Sequence, residues 1–255
     1  MNRFVIPQPR PDAAVRLFCL PYAGAGASAY RRWPAAIGPD IEIVAVQLPG
    51  RESRIVEDHG FDDAEITALA DAIHTHLDTH DGGPYAIYGH SLGGWHAFEL
   101  IRHLRRTGGR LPVKLYVGGC RAPHLPATGT FAGLSTLDDD ALLARVAEGG
   151  GLSDDVLAEP ELLELLLPVL RADFTYLDEY THTDGEPLPV PVVAYAGRAD
   201  TAVSRADIQA WDRHTSAGFT LHDIDGDHFF LHDDTGHITD LLAKDLLSAL
   251  PGRSS

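Results

Sequence analysis

The fold of this 255-residue chain is decided by the stretch Pro84-Tyr85-Ala86-Ile87-Tyr88-Gly89-His90-Ser91-Leu92-Gly93. Its first five residues form an apolar run typical of a buried strand, and a helical pattern begins at Gly94-Trp95-His96-Ala97. Between a strand and a helix, G-x-S-x-G predicts a nucleophile elbow, a sharp turn that exposes the serine at a helix N-terminus. The two glycines remove side chains where strand and helix would collide. Ser91 is therefore the candidate nucleophile, and a plain glycine-rich turn is the alternative reading of the motif alone.

On both sides of this motif, short apolar runs alternate with helical patterns. The sequence predicts strands over residues 15–20, 41–46, 84–88, 113–117, 190–196 and 219–224, and helices over residues 62–80, 92–106, 204–214 and 237–249. Such alternation predicts an α/β fold with a mostly parallel sheet covered by helices. Residues 1–14 are proline-rich and are expected to be a loose lead-in. The chain length fits one domain over residues 1–255.

The alternation breaks between about residues 125 and 184, where we expect helices and no strand. One helix is predicted over residues 134–148 with Thr136 as its cap, and a short one starts at Ser153. A third begins at Pro160 and continues to residue 180, with a kink at Pro168. This last helix is apolar around most of its circumference. Two interpretations stay open, namely ordinary core packing and a lid that covers an apolar channel.

Composition and charge exclude several classes of function. The net charge of −17 argues against nucleic acid and anionic membrane surfaces as partners, although it also serves solubility. Because the sequence shows neither a signal peptide nor an apolar run of membrane-spanning length, we expect a soluble, cytoplasmic protein. Cys19 and Cys120 lie in apolar runs and are expected to be buried thiols, outside any disulfide or metal site.

A serine nucleophile requires a base and an acid that orients it, and after a nucleophile elbow these follow in the order acid, then histidine. Asp200 comes directly after the predicted strand at 190–196 and is the candidate acid. His228 follows the strand at 219–224 and is the candidate base, whereas His90 is expected to be a packing residue. His228 and His232 also have the spacing of a zinc-binding helix, but the glutamate of H-E-x-x-H is missing. We therefore expect no metal.

Two backbone N–H groups are expected to form the oxyanion hole. One belongs to Leu92, the residue after the nucleophile. The other is assigned to Ala23, in the loop Pro21-Tyr22-Ala23-Gly24-Ala25-Gly26-Ala27 that follows the first long strand. The small residues of this loop allow its backbone to approach a substrate closely.

Five motifs resemble those of type II thioesterases, the free-standing α/β-hydrolases that accompany polyketide synthases and nonribosomal peptide synthetases. They are Pro21-Tyr22-Ala23-Gly24-Ala25-Gly26, Gln47-Leu48-Pro49-Gly50-Arg51-Glu52-Ser53-Arg54, Gly89-His90-Ser91-Leu92-Gly93-Gly94, Gly197-Arg198-Ala199-Asp200 and Gly226-Asp227-His228-Phe229-Phe230. The resemblance covers nearly the whole chain, and its L-P-G-R-E segment is more specific than the elbow. Two departures concern Ala25, which separates two glycines that are usually contiguous, and Leu92, where Met is frequent.

The resemblance implies an α/β-hydrolase fold with a helical lid insertion at about residues 125–184 and a reaction without a cofactor. It implies hydrolysis of acyl thioesters on the phosphopantetheine arms of acyl or peptidyl carrier proteins, which removes aberrant or stalled acyl groups. Ser91 would attack the thioester, His228 would transfer protons and Asp200 would orient His228. The partner would be a carrier domain of a synthase, and we expect a monomer.

Other functions fit the same residues. A general carboxylesterase or lipase would use the same triad on oxyesters. A cyclising terminal thioesterase is less expected, since the sequence shows no fused carrier domain. A non-catalytic binding protein with a hydrolase fold is the remaining alternative, and the intact set Ser91, Asp200 and His228 argues against it.

A basic stretch is the candidate docking surface for the carrier. It starts in the helix predicted over residues 92–106, which we number α3, and we name it the α3 basic stretch. It contains Arg102, Arg105, Arg106, Arg110 and Lys114, with no acidic residue between them. Because carrier proteins are usually acidic and this chain is acidic too, a local positive surface would offset the repulsion. The alternative is that these are solvated cations near a helix C-terminus.

Overall fold

The computed structural model describes residues 2–80, 82–233 and 235–250, and within them seven strands form one sheet. The strands are β1 (Phe4–Val5), β2 (Val15–Leu20), β3 (Ile41–Val46), β4 (Tyr85–His90), β5 (Leu115–Gly118), β6 (Val192–Gly197) and β7 (Phe219–Ile224). Their order across the sheet is β1-β3-β2-β4-β5-β6-β7. β1 runs antiparallel to β3, and the other neighbouring pairs are parallel. The predicted α/β fold with a mostly parallel sheet is confirmed.

Helices connect the parallel strands. The α-helices are α1 (Trp33–Ala36), α2 (Asp63–Asp78), α3 (Leu92–Thr107), α4 (Asp139–Glu148), α5 (Asp154–Leu157), α6 (Pro160–Glu179), α7 (Arg205–Gln209), α8 (Phe230–Asp233) and α9 (Thr235–Ser248). Short 3₁₀ turns occupy residues 27–30, 52–54, 134–136 and 210–214. The helix predicted over residues 204–214 is thus divided into α7 and a 3₁₀ turn. Among the described helices, none is both long and apolar enough to cross a membrane.

Both faces of the sheet are buried from β2 to β5 and along most of β6, as the mostly apolar sequences of these strands predict. Along β2, Phe18 and Leu20 join the core beneath α2 and α3. Leu17 and Cys19 join the opposite core, against α1 and α9. The alternation follows from the two-residue period of a strand. Cys19 and Cys120 are both buried free thiols, as the apolar runs around them predict.

The prediction of a loose lead-in over residues 1–14 is wrong at Phe4–Val5. Phe4 pairs with Val46 of β3 and is 7% exposed. Its ring packs edge-on against Phe18, with 5.3 Å between the ring centroids. Burial of this aromatic ring offsets the entropy of ordering a proline-rich segment.

The segment from residue 125 to 184, which we call the insertion, contains α4, α5 and α6 and no strand among its described residues. The predicted cap at Thr136 is wrong, because Thr136 lies in a 3₁₀ turn. Asp138 caps α4 instead, and its carboxylate accepts the Ala141 N–H at 2.9 Å. A carboxylate at a helix N-terminus gains from the helix dipole as well as from the hydrogen bond.

Helix α6 is continuous through Pro168, and its two halves have different surroundings. Leu162 and Leu165 in the first half are 44% and 54% exposed, whereas Val169, Leu170 and Phe174 in the second half are buried. Core packing therefore explains the second half only. The exposed leucines of the first half are what a movable cover over an apolar site would present.

Candidate active site

Ser91 lies at the tight junction of β4 and α3. Its backbone adopts φ +50° and ψ −120°, a conformation that is strained for a residue with a side chain. The Ser91 N–H donates to the Gly118 carbonyl at 2.8 Å, which holds the turn against β5. A Cβ at Gly89 would lie 2.2 Å from the Gly93 carbonyl oxygen, and one at Gly93 would lie 2.3 Å from the Leu20 carbonyl oxygen. Both glycines of the motif are thus required by contact between backbones.

The structure brings together the three residues predicted to form a triad. His228 Nε2 is 3.0 Å from Ser91 Oγ, and His228 Nδ1 is 2.9 Å from Asp200 Oδ2. The His228 and Asp200 side chains are 5% and 0% exposed. Because an ionised carboxylate only accepts, Nδ1 carries the proton and the Nε2 lone pair faces Ser91. This is the tautomer that a general base for Ser91 requires.

Asp200 is held in place by its own loop. Its Oδ1 atom accepts the backbone N–H groups of Ala202 at 2.8 Å and Val203 at 2.9 Å. The remaining oxygen is then directed at His228. These two hydrogen bonds fix the orientation of the buried Asp200 carboxylate.

His90 has a role that the sequence did not predict. Its Nε2–H donates to the His228 carbonyl oxygen at 2.8 Å, and its Nδ1 accepts the Tyr88 O–H at 2.9 Å. Burial lowers the pKa of His90 well below its ordinary value, so the ring is neutral. The loop that carries the base is thereby tied to the strand that precedes the nucleophile. The only available signal was that Tyr88 and His90, two residues apart on a strand, share one face.

The predicted oxyanion donors lie beside the nucleophile. Ala23, Ser91 and His228 line one cavity, and Leu92 and Ser91 line an adjoining one. Among the described residues, the N–H groups of Ala23 and Leu92 donate to no protein acceptor. Unpaired backbone donors near a half-buried serine are what an oxyanion hole requires.

Two small adjoining cavities meet at Ser91, with volumes of about 30 and 20 Å³. They share Phe131 and Leu177, both from the insertion. Trp95 lines the first cavity, and Phe174 and Phe229 line the second. The walls are mostly apolar, so a hydrocarbon chain beside Ser91 would contact apolar side chains, and the cavities must widen to admit one.

A surface groove continues outward from the catalytic cavity, and the two share Tyr22 and Gly151. It runs between the β2–α1 loop and the exposed half of α6. Arg31 and Arg32 line it, and both are exposed. Within the described part of the chain neither guanidinium has a hydrogen-bonded or ionic partner. We call these two residues the groove arginines.

The α3 basic stretch is not free of acidic partners in space. Its internal partners are Glu99 and the Thr183 carbonyl for Arg102, Glu186 and the Pro187 carbonyl for Arg105, the Gly83 carbonyl for Arg110, and Asp245 for Lys114. Arg106 is exposed. The 16 residues of α3 place the helix C-terminus about 24 Å from its first residue, which follows Ser91. Most of these cations therefore have partners within the protein, and they lie toward the far end of α3 from Ser91.

His232, the second histidine of the H-x-x-x-H spacing, binds the Tyr22 hydroxyl through Nε2 at 2.9 Å. The candidate metal-ligand atoms of Glu42, His76 and His80 lie within 4.8 Å of one another elsewhere in the structure. Arg16 already approaches Glu42, with 3.4 Å between Nε and Oε2. Because this guanidinium supplies the positive charge beside the carboxylate, we assign no metal to this group.

Comparisons with known proteins agree with this geometry. The sequence profile of the thioesterase domain matches residues 15–246. The protein named linear gramicidin dehydrogenase LgrE, from Brevibacillus parabrevis, is 36% identical over 250 residues, which cover 96% of this chain and 93% of that protein. The solved structure of the RedJ thioesterase, from the prodiginine biosynthetic pathway in Streptomyces coelicolor, superposes with a TM-score of 0.83. Its identity is 36%, covering 95% of this chain and 92% of RedJ.

A second solved structure is that of YbtT, described as a type II thioesterase from the yersiniabactin NRPS/PKS pathway. Its TM-score is 0.83 at 30% identity, covering 97% of this chain and 99% of YbtT. These alignments cover nearly the whole chain, so they span the insertion as well as the sheet.

Proposed function

The chain belongs to the thioesterase family, and from this premise we propose that it removes acyl groups from the phosphopantetheine arms of carrier proteins in polyketide or nonribosomal peptide biosynthesis. The observation that carries the proposal is the hydrogen-bonded series from Ser91 through His228 to Asp200, at the junction of two apolar cavities. A nucleophile in this setting suits an acyl group that arrives as a thioester and leaves as a free acid.

In the first half-reaction, Ser91 Oγ attacks the thioester carbonyl while His228 Nε2 takes its proton. Negative charge develops on the carbonyl oxygen, where the N–H groups of Ala23 and Leu92 stabilise it. One such donor contributes about 3–4 kcal/mol in a comparable hydrolase. The carbon–sulfur bond then breaks, His228 returns the proton to the sulfur, and the acyl group remains on Ser91. Asp200 stabilises the imidazolium that exists between the two transfers.

The second half-reaction uses water. His228 removes a proton from the water molecule as its oxygen attacks the acyl-serine carbonyl. The same two N–H groups stabilise the second oxyanion. Collapse expels Ser91 Oγ, which recovers its proton from His228, and releases the carboxylic acid. The residues of this chain supply each step, so the proposed reaction calls for no cofactor.

The insertion is proposed to act as a lid. Phe131 and Leu177 of the insertion line both cavities, and the exposed Leu165 of α6 lines the groove. A cover of this kind shields the acyl-enzyme and excludes water until the carrier has left.

The carrier is proposed to approach along the groove, with its phosphodiester near the groove arginines. Two unpaired cations beside a path to Ser91 would offset locally the net charge of −17. The α3 basic stretch, the earlier candidate, stays a proposal with less support, because most of its charges are engaged and lie at the far end of α3.

One relative is named as a dehydrogenase, and Gly24-Ala25-Gly26-Ala27-Ser28-Ala29 fits the G-x-G-x-x-A spacing of a dinucleotide-binding turn. In such a turn, free N–H groups at a helix N-terminus bind the pyrophosphate. Here the Gly24 N–H donates to the Asp173 carboxylate, and the next element is a single 3₁₀ turn at Ala27–Tyr30. An anion already occupies the position that a pyrophosphate would need, which disfavours a dinucleotide.

The experiment that separates the proposed function from a general carboxylesterase compares thioesters and oxyesters of the same acyl chain. We expect kcat/KM for the acyl-carrier thioester to exceed that for the oxyester at least tenfold, with Ser91→Ala inactive on both. The reverse preference would assign a carboxylesterase. Failure of a fluorophosphonate to label Ser91 would favour the non-catalytic binding protein.

A further inference from the structure

A buried ion pair joins the insertion to the segment that follows β3. Arg51 comes from the L-P-G-R segment and Asp173 from the second half of α6. The pair is bidentate, with Nη1 2.8 Å from Oδ2 and Nη2 2.9 Å from Oδ1. The two side chains are only 4% and 6% exposed.

The same two side chains hold the loop over residues 21–27, which contains Ala23 and which we call the oxyanion loop. Asp173 Oδ2 also accepts the Gly24 N–H at 2.8 Å, and Arg51 Nη1 also donates to the Ala25 carbonyl at 3.0 Å. Gly24 adopts φ +79°, and a Cβ there would lie 2.5 Å from Leu170 Cδ2 of α6. The loop residues that follow Ala23 are therefore fixed by α6 through hydrogen bonds and through close packing.

Resting on the proposed function above, we propose that Arg51 and Asp173 are positioning residues for the oxyanion hole. The Ala23 N–H points correctly only if the peptide groups after it are held, and these two residues hold them. Both charges act through the loop, and neither touches the reacting atoms. A shift of the donor by about 1 Å is enough to reduce the rate strongly.

The arrangement makes the lid part of the catalytic machinery. Asp173 lies on α6, whereas Arg51 and Ala23 lie on the sheet side of the site. Withdrawal of α6 would remove the acceptor of the Gly24 N–H and release the loop. The oxyanion hole is thereby complete only while the second half of α6 is seated, which ties catalysis to a closed lid.

Stability alone does not require this ion pair. Apolar residues of similar volume often replace a buried ion pair at no cost to stability, whereas removal of one partner leaves an uncompensated charge. Two variants therefore separate a role in stability from a role in positioning the oxyanion loop. They are Arg51→Met and the double variant Arg51→Met/Asp173→Leu. Arg171→Met is the matched control. Arg171 lies on the same helix as Asp173, but its guanidinium bonds within the insertion, to Asp139 and the Leu137 carbonyl.

The test measures Tm, kcat, KM and the pH profile of each variant with a small activated ester, and in parallel with an acyl-carrier thioester. We expect Arg51→Met to lower both Tm and kcat. The double variant should recover most of the lost Tm, while kcat stays at least tenfold below wild type. KM and the pH midpoint should stay close to wild type, because the triad is intact. Arg171→Met should lower Tm and leave kcat for the ester within twofold.

Recovery of kcat together with Tm in the double variant would overturn the proposal, since the pair would then serve stability only. An equal loss of kcat in Arg171→Met would also overturn it. The small ester keeps this result separate from the proposed function, because an enzyme that hydrolyses the ester but not the carrier thioester still reports on the oxyanion loop. A wild-type protein inert toward both substrates would contradict both proposals.

Discussion

His90 Nε2 lies 2.8 Å from the carbonyl oxygen of His228, so a neutral, buried histidine beside the nucleophile fixes the backbone of the base. The two residues are 138 positions apart in the sequence. The bond joins the end of β4 to the loop after β7, across the width of the parallel strands. The positions of Ser91 and His228 are thereby both fixed relative to β4.

We expect His90→Leu to lower kcat about tenfold, because the His228 loop loses its anchor. Loss of a buried hydrogen-bond donor should also reduce the free energy of unfolding by about 1–3 kcal/mol. Tyr88→Phe is the matched control, since it keeps the bond to His228 and removes only the Tyr88 hydroxyl. Steady-state kinetics and thermal unfolding of both variants check this, and equal losses of kcat in the two would contradict it.

Leu177 is expected to limit acyl-chain length, because it lines both cavities beside Ser91. Leu177→Trp should fill the shared space and lower kcat/KM for long acyl substrates more than tenfold, while acetyl substrates change less than threefold. Leu177→Met keeps the volume and serves as control. A panel of acyl chain lengths measures the effect. Uniform loss across the panel would show that Leu177 does not line the acyl site.

Stability is expected to fall as the pH drops below about 6.5. Burial holds the pKa of His96 at about 3, and burial together with the neighbouring His124 holds that of His214 at about 3. Between pH 6.5 and 3 the unfolded chain binds protons that the folded chain refuses, so acidification favours unfolding. From pH 7 to 5 each histidine should cost roughly 2 kcal/mol.

His96→Leu should weaken this pH dependence without loss of stability at pH 7. Both ring nitrogens of His96 lack a partner among the described residues, so an apolar side chain of similar size removes an unsatisfied group. His59→Gln, at an exposed position, is the control. Denaturant unfolding at pH 5 and 7 measures the slope. A slope in His96→Leu as steep as in wild type would exclude His96 as a cause.

Charge reversal of the groove arginines, Arg31→Glu/Arg32→Glu, should raise KM for acyl-carrier substrates at least fivefold and leave KM for short acyl-pantetheine, which lacks the phosphodiester, within twofold. The effect should weaken as salt is added. The matched variant Arg105→Glu/Arg106→Glu reverses two charges in the α3 basic stretch. A larger effect from that variant, confined to acyl-carrier substrates, would move docking to α3. Equal effects on both substrates would rule out docking at the altered surface.

Local patterns predicted the features that depend on local sequence. The strands at Ile41–Val46 and Phe219–Ile224 have the predicted bounds, because turn-forming residues flank them. The placement of Asp200 and His228 beside Ser91 could be anticipated because the carboxyl ends of parallel strands meet at one edge of the sheet. Their catalytic role remains a proposal, as do the single domain over residues 1–255, the monomeric state and the cytoplasmic location.

What the sequence did not predict depends on partners distant along the chain. Arg51 and Asp173 are separated by 122 residues, and no local pattern pairs one arginine with one of many carboxylates. The strand at Phe4–Val5 is short and precedes a proline-rich stretch, and contacts with β3 and with Phe18 of β2 order it. The α3 basic stretch contains no acidic residue in the sequence. In the structure, Glu186 and Asp245 reach it from distant parts of the chain, which no local pattern indicates.

Deacylation of a carrier protein is measured by the mass of an acyl-carrier protein before and after incubation with this enzyme. We expect wild type to convert the acylated carrier to its free-thiol form with release of the carboxylic acid, and Ser91→Ala to leave the acylated mass unchanged. An acyl-carrier panel that stays fully acylated with wild type, while an oxyester of the same acyl chain is hydrolysed, would contradict the proposed function.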